Sequence, residues 1–522
     1  MLFPQCNEVF FKMRTLGSFS KALLLLLGIA AQGRQVSTGK AFLGSDAGNP
    51  LALTPASSAT AENARAEEVR DALRHLWSGY RKAGWGDDEV QPISGGKGGA
   101  WGGVGMLILD TLDTLWLAGL SKEFAEGEEW VSKLNLDPMD HPMRSSFFEI
   151  TIRGLSGLLS AYALSGHHVL LDKAKLLGDH LLQGFPQSDS RNVWPVAYID
   201  VHNPTDVEVT PSFHPGYSIL ADVGSNVLEF AYLSQATGDR HYEVTADKIF
   251  NKLIDLSDST GEPLAPTELD PYSVRFLGGP VSVGAMGDSY FEYLLKRYLQ
   301  TGCKQKHLLS TWKSAMREMR VGLLKKSAQG FTYIASPATR QGSGQPMSVS
   351  TGMDHLSCFV GGMLAMASQY VPSQEVEDWW LPTGVEITRT CYEMYLISPS
   401  GLAPETVHFS DDGMRAGNTN FRLRPETLES LFYLHRITGN TTYRDWSWNI
   451  FQAINKNTKT EYGFASVEDV MTTPVVLRDS EETFMGAETL KYALLTQLPP
   501  TALPLDQFVL NTEAHPFPVA RS

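Results

Sequence analysis

The sequence predicts a fold dominated by α-helices that pair into hairpins. Apolar residues recur at positions i, i+3 and i+4 in eleven segments between about Glu62 and Leu495, which is the pattern of amphipathic helices. Several of these segments end in a Thr-Gly or Ser-Gly turn, at Gly166, Gly238, Gly302 and Gly439. Repeated helical hairpins either close into an α/α barrel or stack into an open solenoid.

The order of elements follows from the same pattern. The predicted helices are Val69–Lys82, Leu107–Leu120, Ile150–Ser165, Ile219–Thr237, Tyr290–Gln300, Leu308–Lys325, Leu356–Tyr370, Val385–Leu396, Thr427–Thr438, Tyr443–Ile454 and Thr483–Leu495. Short strand-like runs between hairpins, such as Phe331–Ala335, predict small sheets at one rim. The sequence shows no domain boundary within residues 62–522, so we expect them to form one domain.

The N-terminal residues are predicted to be a targeting segment and a spacer. Residues 1–33 combine a basic start with the apolar run Ala22–Ala31, which as a helix spans only about 15 Å, about half a bilayer core. This favours a cleaved signal peptide, with a short signal anchor as the alternative. Residues 34–61 have the composition of a disordered stem. We therefore expect entry into the secretory pathway, with membrane anchoring through the N-terminus if this segment is not cleaved.

Charge and cysteine content argue against several classes of binding protein. The net charge of -15 argues against nucleic acid and anionic membrane surfaces as main partners. No metal-binding cysteine spacing occurs, and one disulfide is expected among Cys303, Cys358 and Cys391, whose pairing the spacing leaves open. Asn440 begins the chain's one Asn-x-Thr glycosylation motif.

Carboxylates in apolar helical segments are the chemically informative feature. Glu149 lies among Phe147, Phe148 and Ile150, where a carboxylate must be paired, metal-bound or raised in pKa. A simple ion pair with Arg153, four residues on, is an equally good account.

Two further helix starts carry acids. Asp288 and Glu292 lie one turn apart, a spacing of like charges that favours a cation, water or sugar between them, although Asp288 also suits a helix cap. Glu426 and Glu429 follow Pro425, where the helix dipole alone would favour acids.

Three more segments add candidate oxygen ligands. They contain Glu405, Glu488, and Thr512 with Glu513, and each taken singly suits a surface acid. Together, many acids with few basic partners suit calcium more than zinc, and paired carboxylates in an aromatic cavity suit glycoside hydrolysis. His355 and His408 show no metal-ligand spacing and are expected to be structural or to contact substrate.

Taken in order, the motifs resemble those of the class I α-1,2-mannosidases, glycoside hydrolase family 47. The matching segments are Leu107–Leu120, Phe148–Arg153, Ala221–Phe230, Gly287–Lys296, Met353–Phe359, Gly401–Glu405, Leu423–Ser430 and Asn511–Pro516. The resemblance implies an (α/α)7 barrel, removal of α-1,2-linked mannose from high-mannose N-glycans with inversion of configuration, and one bound Ca²⁺.

The resemblance also implies a role for each matching residue. Glu149 resembles the general acid and Glu426 the general base, while Asp288 and Glu405 resemble further active-site acids. Thr512 resembles the direct calcium ligand. The acids that hold calcium-bound water or substrate are matched by Glu229, Glu292, Glu429, Glu488 and Glu513. Cys358 and Cys391 match the family disulfide, which would leave Cys303 free.

One departure from the family bears on specificity. Met286 stands where members of the endoplasmic reticulum type resemble one another in having Arg and members of the Golgi type have Leu. It favours broader trimming and leaves the subtype open. A mannose-binding lectin-like protein, an α-helical interaction solenoid and a metal-free α/α-barrel glycosidase are the competing hypotheses.

Overall fold

The computed structural model describes residues 53, 64–99, 101–141, 143–213, 215–340 and 347–520. Helices dominate them. The α-helices are α1 Ala64–Ala83, α2 Met106–Leu117, α3 Ser121–Ser132, α4 Phe147–Glu149, α5 Ser156–Ser165, α6 His168–Leu181, α7 Leu220–Gly224, α8 Val227–Thr237, α9 His241–Thr260, α10 Asp288–Gln300, α11 Lys306–Gly322, α12 Phe359–Tyr370, α13 Trp380–Leu396, α14 Glu426–Thr438, α15 Thr441–Thr458 and α16 Leu490–Gln497.

Fourteen of these helices form two concentric rings. In the inner ring, α2, α5, α8, α10, α12, α14 and α16 contact one another in that order, and the π-helical turn Met485–Thr489 before α16 closes the ring onto α2. The outer ring consists of α1, α3, α6, α9, α11, α13 and α15, with α1 packed against α15 and α16. The closed ring confirms the predicted (α/α)7 barrel and excludes an open solenoid.

Burial explains which helices lie inside. The inner helix α10 buries twelve of its thirteen residues, whereas the outer helix α3 buries three of twelve. A helix that is buried on nearly all sides lies inside the barrel, and a helix that buries only one face covers it. The inner helices also approach closely, since a Cβ added at Gly157 would lie 2.1 Å from the carbonyl oxygen of Leu109.

Short strands connect the helices, and several of them lead directly into inner helices. They are β1 Glu89–Val90, β2 Lys97–Gly98, β3 Arg144–Ser146, β4 Tyr198–Asp200, β5 Asn203–Glu208, β6 Ser218–Ile219, β7 Pro266–Leu269, β8 Phe276–Val281, β9 Leu324–Lys326, β10 Thr332–Ile334, β11 Ala338–Arg340, β12 Met347–Val349, β13 Gly352–Asp354, β14 Thr406–Ser410, β15 Gly413–Ala416, β16 Ser466–Asp469, β17 Val476–Arg478, β18 Phe508–Leu510 and β19 Pro516–Pro518.

The sheets are small and antiparallel. The largest has the strand order β12-β11-β8-β7-β6, and two others have three strands each, β3-β4-β5 and β13-β14-β15. Because β3, β6 and β13 run into the inner-ring segments that begin at α4, α7 and α12, these sheets lie at the end of the barrel where inner helices start. The C-terminal hairpin β18-β19 packs against α5, α8 and α10.

Each predicted helix has a counterpart, but Ile219–Thr237 is divided into α7 and α8, and three outer helices were not predicted. The missed helices are α3, α6 and α9, which bury one face and carry charged residues on the other. The predicted helix Ile150–Ser165 begins earlier, at Phe147, and contains the π-helical stretch Ile150–Leu155. The glycine stops are confirmed, since Gly166, Gly238 and Gly439 end α5, α8 and α14 with positive φ angles.

The disulfide Cys358–Cys391 is present and links the start of α12 to α13. The expectation that Cys303 is a free thiol is wrong, because Cys303 is disulfide-bonded and no cysteine among the described residues is free. The spacing of the cysteines could not have shown this.

The predicted targeting segment, residues 1–33, lies outside the described residues. Of the predicted stem, only Leu53 is described, and its backbone bonds to Leu164 and to the indole of Trp116 at 2.9 Å each. No helix within the described ranges combines the length and the apolar character that a membrane span needs.

Removing the Cys358–Cys391 disulfide is expected to destabilise the barrel. The bond closes a loop with a sequence separation of 33 residues, which corresponds to roughly 3–4 kcal/mol in the chain-entropy account. The double variant Cys358→Ala/Cys391→Ala should therefore unfold at a lower denaturant concentration than the parent. Reducing agent should lower the parent's midpoint towards that of the variant. Equal midpoints under oxidising conditions would contradict the prediction.

Candidate functional site

An acidic pocket opens where the inner helices begin. Its cavity volume is about 300 Å³, at the lower end of the range for small-molecule sites. Eight of its lining residues carry carboxylates and two carry guanidinium groups: Glu149, Asp222, Asp288, Glu292, Glu426, Glu429, Glu488 and Glu513 with Arg153 and Arg424. Phe148, Phe213, Phe359 and Phe484 supply aromatic surface. Helix N-termini favour negative charge, which helps to explain why acids gather here.

Arg153 connects the pocket to the core of the barrel. Its Nε donates to Glu149 Oε2 at 2.7 Å, and its Nη1 donates to Glu513 Oε1 at 2.6 Å and to Thr483 at 3.1 Å. The predicted ion pair with Glu149 therefore exists, but it is one branch of a larger network rather than a simple surface pair. The π-helical stretch that begins at Ile150 brings both residues to the pocket wall, and such bulges often mark functional sites.

Glu426 lies at the first position of α14, between the side chains of a histidine and an arginine. His355 Nδ1 lies 3.1 Å from Glu426 Oε2, and Arg424 Nη1 lies 3.9 Å from Oε1. Burial opposes ionisation of this carboxyl, but the hydrogen bond to His355 and the charge of Arg424 outweigh burial and hold the pKa of Glu426 below its ordinary value. The geometry therefore provides a charged carboxylate in the pocket wall.

Glu405 lies behind Arg424 rather than in the wall of the pocket. Both Nε and Nη2 of Arg424 donate to Glu405 Oε2, at 3.0 and 2.9 Å, and the backbone N–H of Arg422 donates to Oε1 at 3.1 Å. Glu405 thus orients the guanidinium that faces Glu426.

Asp288 and Asp222 are carboxyls whose pKa values are raised to the neutral range or just above it. Burial raises the pKa of Asp288 to about 7, with added repulsion from Glu292, Asp354 and Glu426. Burial raises the pKa of Asp222 to about 8, with added repulsion from Glu149 and Asp288. The pocket therefore holds proton donors beside a charged carboxylate.

Lys296 partly neutralises the deeper acids of the pocket. Its ammonium pairs with Glu292, lies 3.7 Å from Glu429 Oε1 and donates to the carbonyl oxygen of Asn511 at 3.0 Å. Burial still raises the pKa of Glu429. Burial likewise raises the pKa of Glu488 well above its ordinary value, with added repulsion from Glu513, Glu429 and Glu426.

The turn between β18 and β19 places Thr512 and Glu513 at the pocket. Asn511 fixes the turn by accepting from the backbone N–H groups of Glu513 and His515 at 2.9 and 2.8 Å. The Asn511 amide donates to Glu229 Oε1 at 2.9 Å, and Tyr293 donates to the same oxygen at 2.6 Å. Glu229 itself does not line the pocket but supports this turn from beneath.

The carboxyl of Glu229 is notable for its pKa and its hydrogen bonding. Burial raises the pKa of Glu229 to about 7. Its second oxygen, Oε2, is buried and accepts no hydrogen bond from the described residues. Most buried oxygens in folded proteins accept a hydrogen bond, so Glu229 Oε2 is an acceptor available to a further ligand.

A fully buried ion network fastens the same turn to α2 and α16. His515 lies 3.0 Å from Asp110 and 2.9 Å from Asp113, and Lys491 lies 2.9 Å from Asp113, all four side chains having no exposed surface. Arg153 Nη1 lies 3.7 Å from Asp110, so the network continues to Glu149. The position of the candidate acid is thereby linked to the C-terminal turn.

The structure brings together most of the predicted site. Eight predicted residues line the pocket: Glu149, Asp288, Glu292, Glu426, Glu429, Glu488, Thr512 and Glu513. Glu405 and Glu229 do not line the pocket. Glu405 accepts from the lining residue Arg424, and Glu229 accepts from Asn511, which precedes the lining residue Thr512. His355 contacts Glu426, whereas His408 lies on β14 away from the pocket. Sequence reasoning did not single out Asp222, although it stands within the matching segment that begins at Ala221.

Known proteins resemble the chain over the whole barrel. Residues 72–519 match the sequence profile of Glycosyl hydrolase family 47. A mannosyl-oligosaccharide 1,2-alpha-mannosidase of Arabidopsis thaliana is 39% identical over 463 residues, 87% of this chain and 79% of that protein. The endoplasmic reticulum mannosyl-oligosaccharide 1,2-alpha-mannosidase of Homo sapiens is 37% identical over 471 residues, 88% of this chain and 64% of that protein.

A solved structure agrees with this similarity. The alpha-1,2-mannosidase from Trichoderma reesei superposes with a TM-score of 0.77 and 25% sequence identity, covering 87% of this chain and 99% of that chain.

Replacing Arg153 is expected to destabilise the protein strongly. Arg153→Met leaves the carboxyl groups of Glu513 and Asp110 buried without the guanidinium that lies against them. Breaking a buried ion pair in this way costs about 3–5 kcal/mol. Chemical denaturation measures the loss. Arg144→Met is the matched control, because Arg144 is an exposed arginine paired with Asp206 and such pairs contribute only about 0–1 kcal/mol. Equal losses in the two variants would contradict the account.

Stability without divalent metal should fall as pH rises from about 5 to 8. The pKa values of Asp222, Asp288 and Glu229 are about 8, 7 and 7 when folded, while carboxyls in an unfolded chain titrate near 4. The folded state therefore binds more protons in this window, so raising the pH favours unfolding. Thermal midpoints in a chelator at several pH values test this, and midpoints that rise across the window would refute it.

Proposed function

The chain belongs to glycosyl hydrolase family 47, and from this we propose that it removes terminal α-1,2-linked mannose from high-mannose N-glycans with inversion of configuration. The observation that carries the proposal is the pocket, in which Glu149 and Glu426 stand with Asp288 among aromatic side chains. Paired carboxylates of different protonation are what inverting hydrolysis of a glycosidic bond requires.

Glu426 is proposed as the general base. Its depressed pKa keeps it charged at neutral pH. The hydrogen bond to His355 orients Oε2, and the charge of Arg424 lies near Oε1. It takes a proton from the water that attacks the anomeric carbon. The C–O bond to the departing sugar breaks on the opposite face, so the released mannose has inverted configuration.

Glu149 is proposed as the general acid on the leaving side. Arg153 holds its carboxyl by one oxygen, which leaves the other available to the glycosidic oxygen. Asp222 and Asp288, both with pKa values near or above neutrality, keep protons beside it. The aglycone leaves as an alcohol after it receives the proton, and solvent restores the protonation states of both carboxyls.

The donor set fits a calcium ion near Thr512. Carboxylate and hydroxyl oxygens are the ligands Ca²⁺ prefers, and carboxyls whose pKa values are raised by burial and by mutual repulsion gain from a cation. The partnerless Glu229 Oε2 beneath the turn agrees with this. We propose that Thr512 holds the ion, with Glu292, Glu429, Glu488 and Glu513 acting on its water shell or on substrate. The described residues contain no cluster of three or more His, Cys, Asp or Glu positioned to hold a metal directly. Bound calcium would orient sugar hydroxyls.

Met286 is proposed to set which mannose branch is trimmed. Its side chain lines the pocket and its backbone has φ 71, an unusual value for a residue other than glycine. Its carbonyl oxygen accepts from the N–H of Ala221, next to Asp222. An apolar side chain at this wall supports broader trimming. We propose that the enzyme acts in the lumen of the endoplasmic reticulum or Golgi, and the name of the human relative supports the endoplasmic reticulum.

Glu426→Gln should reduce kcat for mannose release from a high-mannose oligosaccharide by at least about 100-fold, because the amide cannot accept the proton. Glu461→Gln, which alters an exposed ion pair with Lys82, is the control and should leave kcat unchanged. Full activity in Glu426→Gln would assign the base elsewhere. Glycan binding without release by the parent chain, with calcium present, would favour a lectin-like protein.

Thr512→Ala should weaken calcium binding and mannose release together, while Thr512→Ser, which keeps the hydroxyl, should retain both. Calorimetric titration of chelator-treated protein with Ca²⁺ measures the first effect, and mannose release with EDTA and then added Ca²⁺ measures the second. If Thr512→Ala binds calcium as tightly as the parent does, the ion lies elsewhere.

A further inference from the structure

The proposed reaction does not use the glycosylation motif at Asn440. Asn440-Thr441-Thr442 is the chain's one Asn-x-Ser/Thr motif without proline, since Asn203-Pro204-Thr205 is blocked by its proline. All three residues of the Asn440 motif are exposed. The motif therefore stays accessible in the folded barrel.

The local geometry leaves the reactive nitrogen available. Asn440 caps α15, and its side-chain oxygen accepts from the backbone N–H of Thr442 at 3.0 Å. The cap uses Oδ1 alone, and Nδ2 donates to no group within the described residues. A glycan on Nδ2 keeps Oδ1 as an acceptor, so modification and the cap are compatible.

The motif lies at the end of the barrel opposite the pocket. Glu426 is the first residue of α14 and lines the pocket, whereas Asn440 follows the last turn of the same helix. Thirteen helical residues at the usual rise separate the two ends by about 20 Å. A sugar chain that leaves the exposed turn extends away from the barrel, and the packed inner ring blocks the direct path back to its own pocket.

We propose that Asn440 carries an N-linked high-mannose glycan and that this glycan is a substrate for the pocket of a second copy of this chain, not for its own pocket. The first part concerns modification alone, and the second rests on the proposed function. In the modification, Nδ2 bonds to the anomeric carbon of a lipid-diphosphate-linked oligosaccharide, the lipid diphosphate leaves, and the amide proton passes to a base. Trimming then adds one water per mannose released.

Occupancy is tested on the full chain produced in a secretory host without its own α-1,2-mannosidases. Peptide-N-glycosidase should remove one glycan from the parent and convert Asn440 to Asp, as peptide mass spectrometry would show. Thr442→Ala destroys the motif while it keeps the Asn440 cap, and Asn440→Gln removes both, so both variants should lack the glycan. An unmodified Asn440 in the secreted parent would overturn the proposal.

The direction of trimming is tested by mixing two variants. Glu426→Gln chain, whose glycan stays untrimmed, should lose mannose when active Asn440→Gln chain is added. For the parent chain, the rate of self-trimming per molecule should rise in proportion to protein concentration. A rate independent of concentration would show trimming by its own pocket and contradict the proposal. Mannose release from a free oligosaccharide by Asn440→Gln tests the proposed function separately.

Discussion

The burial of many carboxylates at one end of the inner helix ring is the constraint on which the rest of the site depends. Each ionised acid taken out of water costs free energy unless a partner compensates for it. Arg153, Arg424 and Lys296 supply only part of the compensation, and helix N-termini supply a little more. The cost of burial that these groups do not offset raises the pKa values of Asp288 and Glu429. Charged and protonated carboxyls therefore lie side by side. That contrast is what an acid–base hydrolysis needs, and it is also what makes a cation favourable.

The C-terminal hairpin links the pocket to the core of the barrel. Its turn carries Thr512 and Glu513 to the pocket, while His515 fastens the turn to α2 through Asp110 and Asp113. Because Arg153 contacts both Glu513 and Glu149, the first and last parts of the barrel position the same carboxyl. Enclosing these ions keeps water from screening them, so their geometry is fixed by folding rather than by substrate.

Much of this arrangement could be predicted from the sequence, and the reasons for the rest are physical. Helical periodicity predicted the inner helices and the outer helices α1, α11, α13 and α15. It missed α3, because only three of its twelve residues are buried and its apolar face is therefore narrow. The position of Glu149 in an apolar run indicated a site, but spacing could show only its ion pair with Arg153. The contacts of Arg153 with Glu513, of Arg424 with Glu405 and the buried position of Asp222 depend on tertiary packing. The disulfide assignment of Cys303 was equally invisible.

The central claim is that Glu149 and Glu426 act on opposite faces of an α-linked mannose. Proton NMR that follows the first mannose released from a high-mannose oligosaccharide, before its anomers equilibrate, tests this most directly. The account predicts β-mannose as the first product, since water enters opposite the departing oxygen. Initial release of α-mannose would mean retention through a covalent intermediate and would contradict the roles assigned to the two carboxyls.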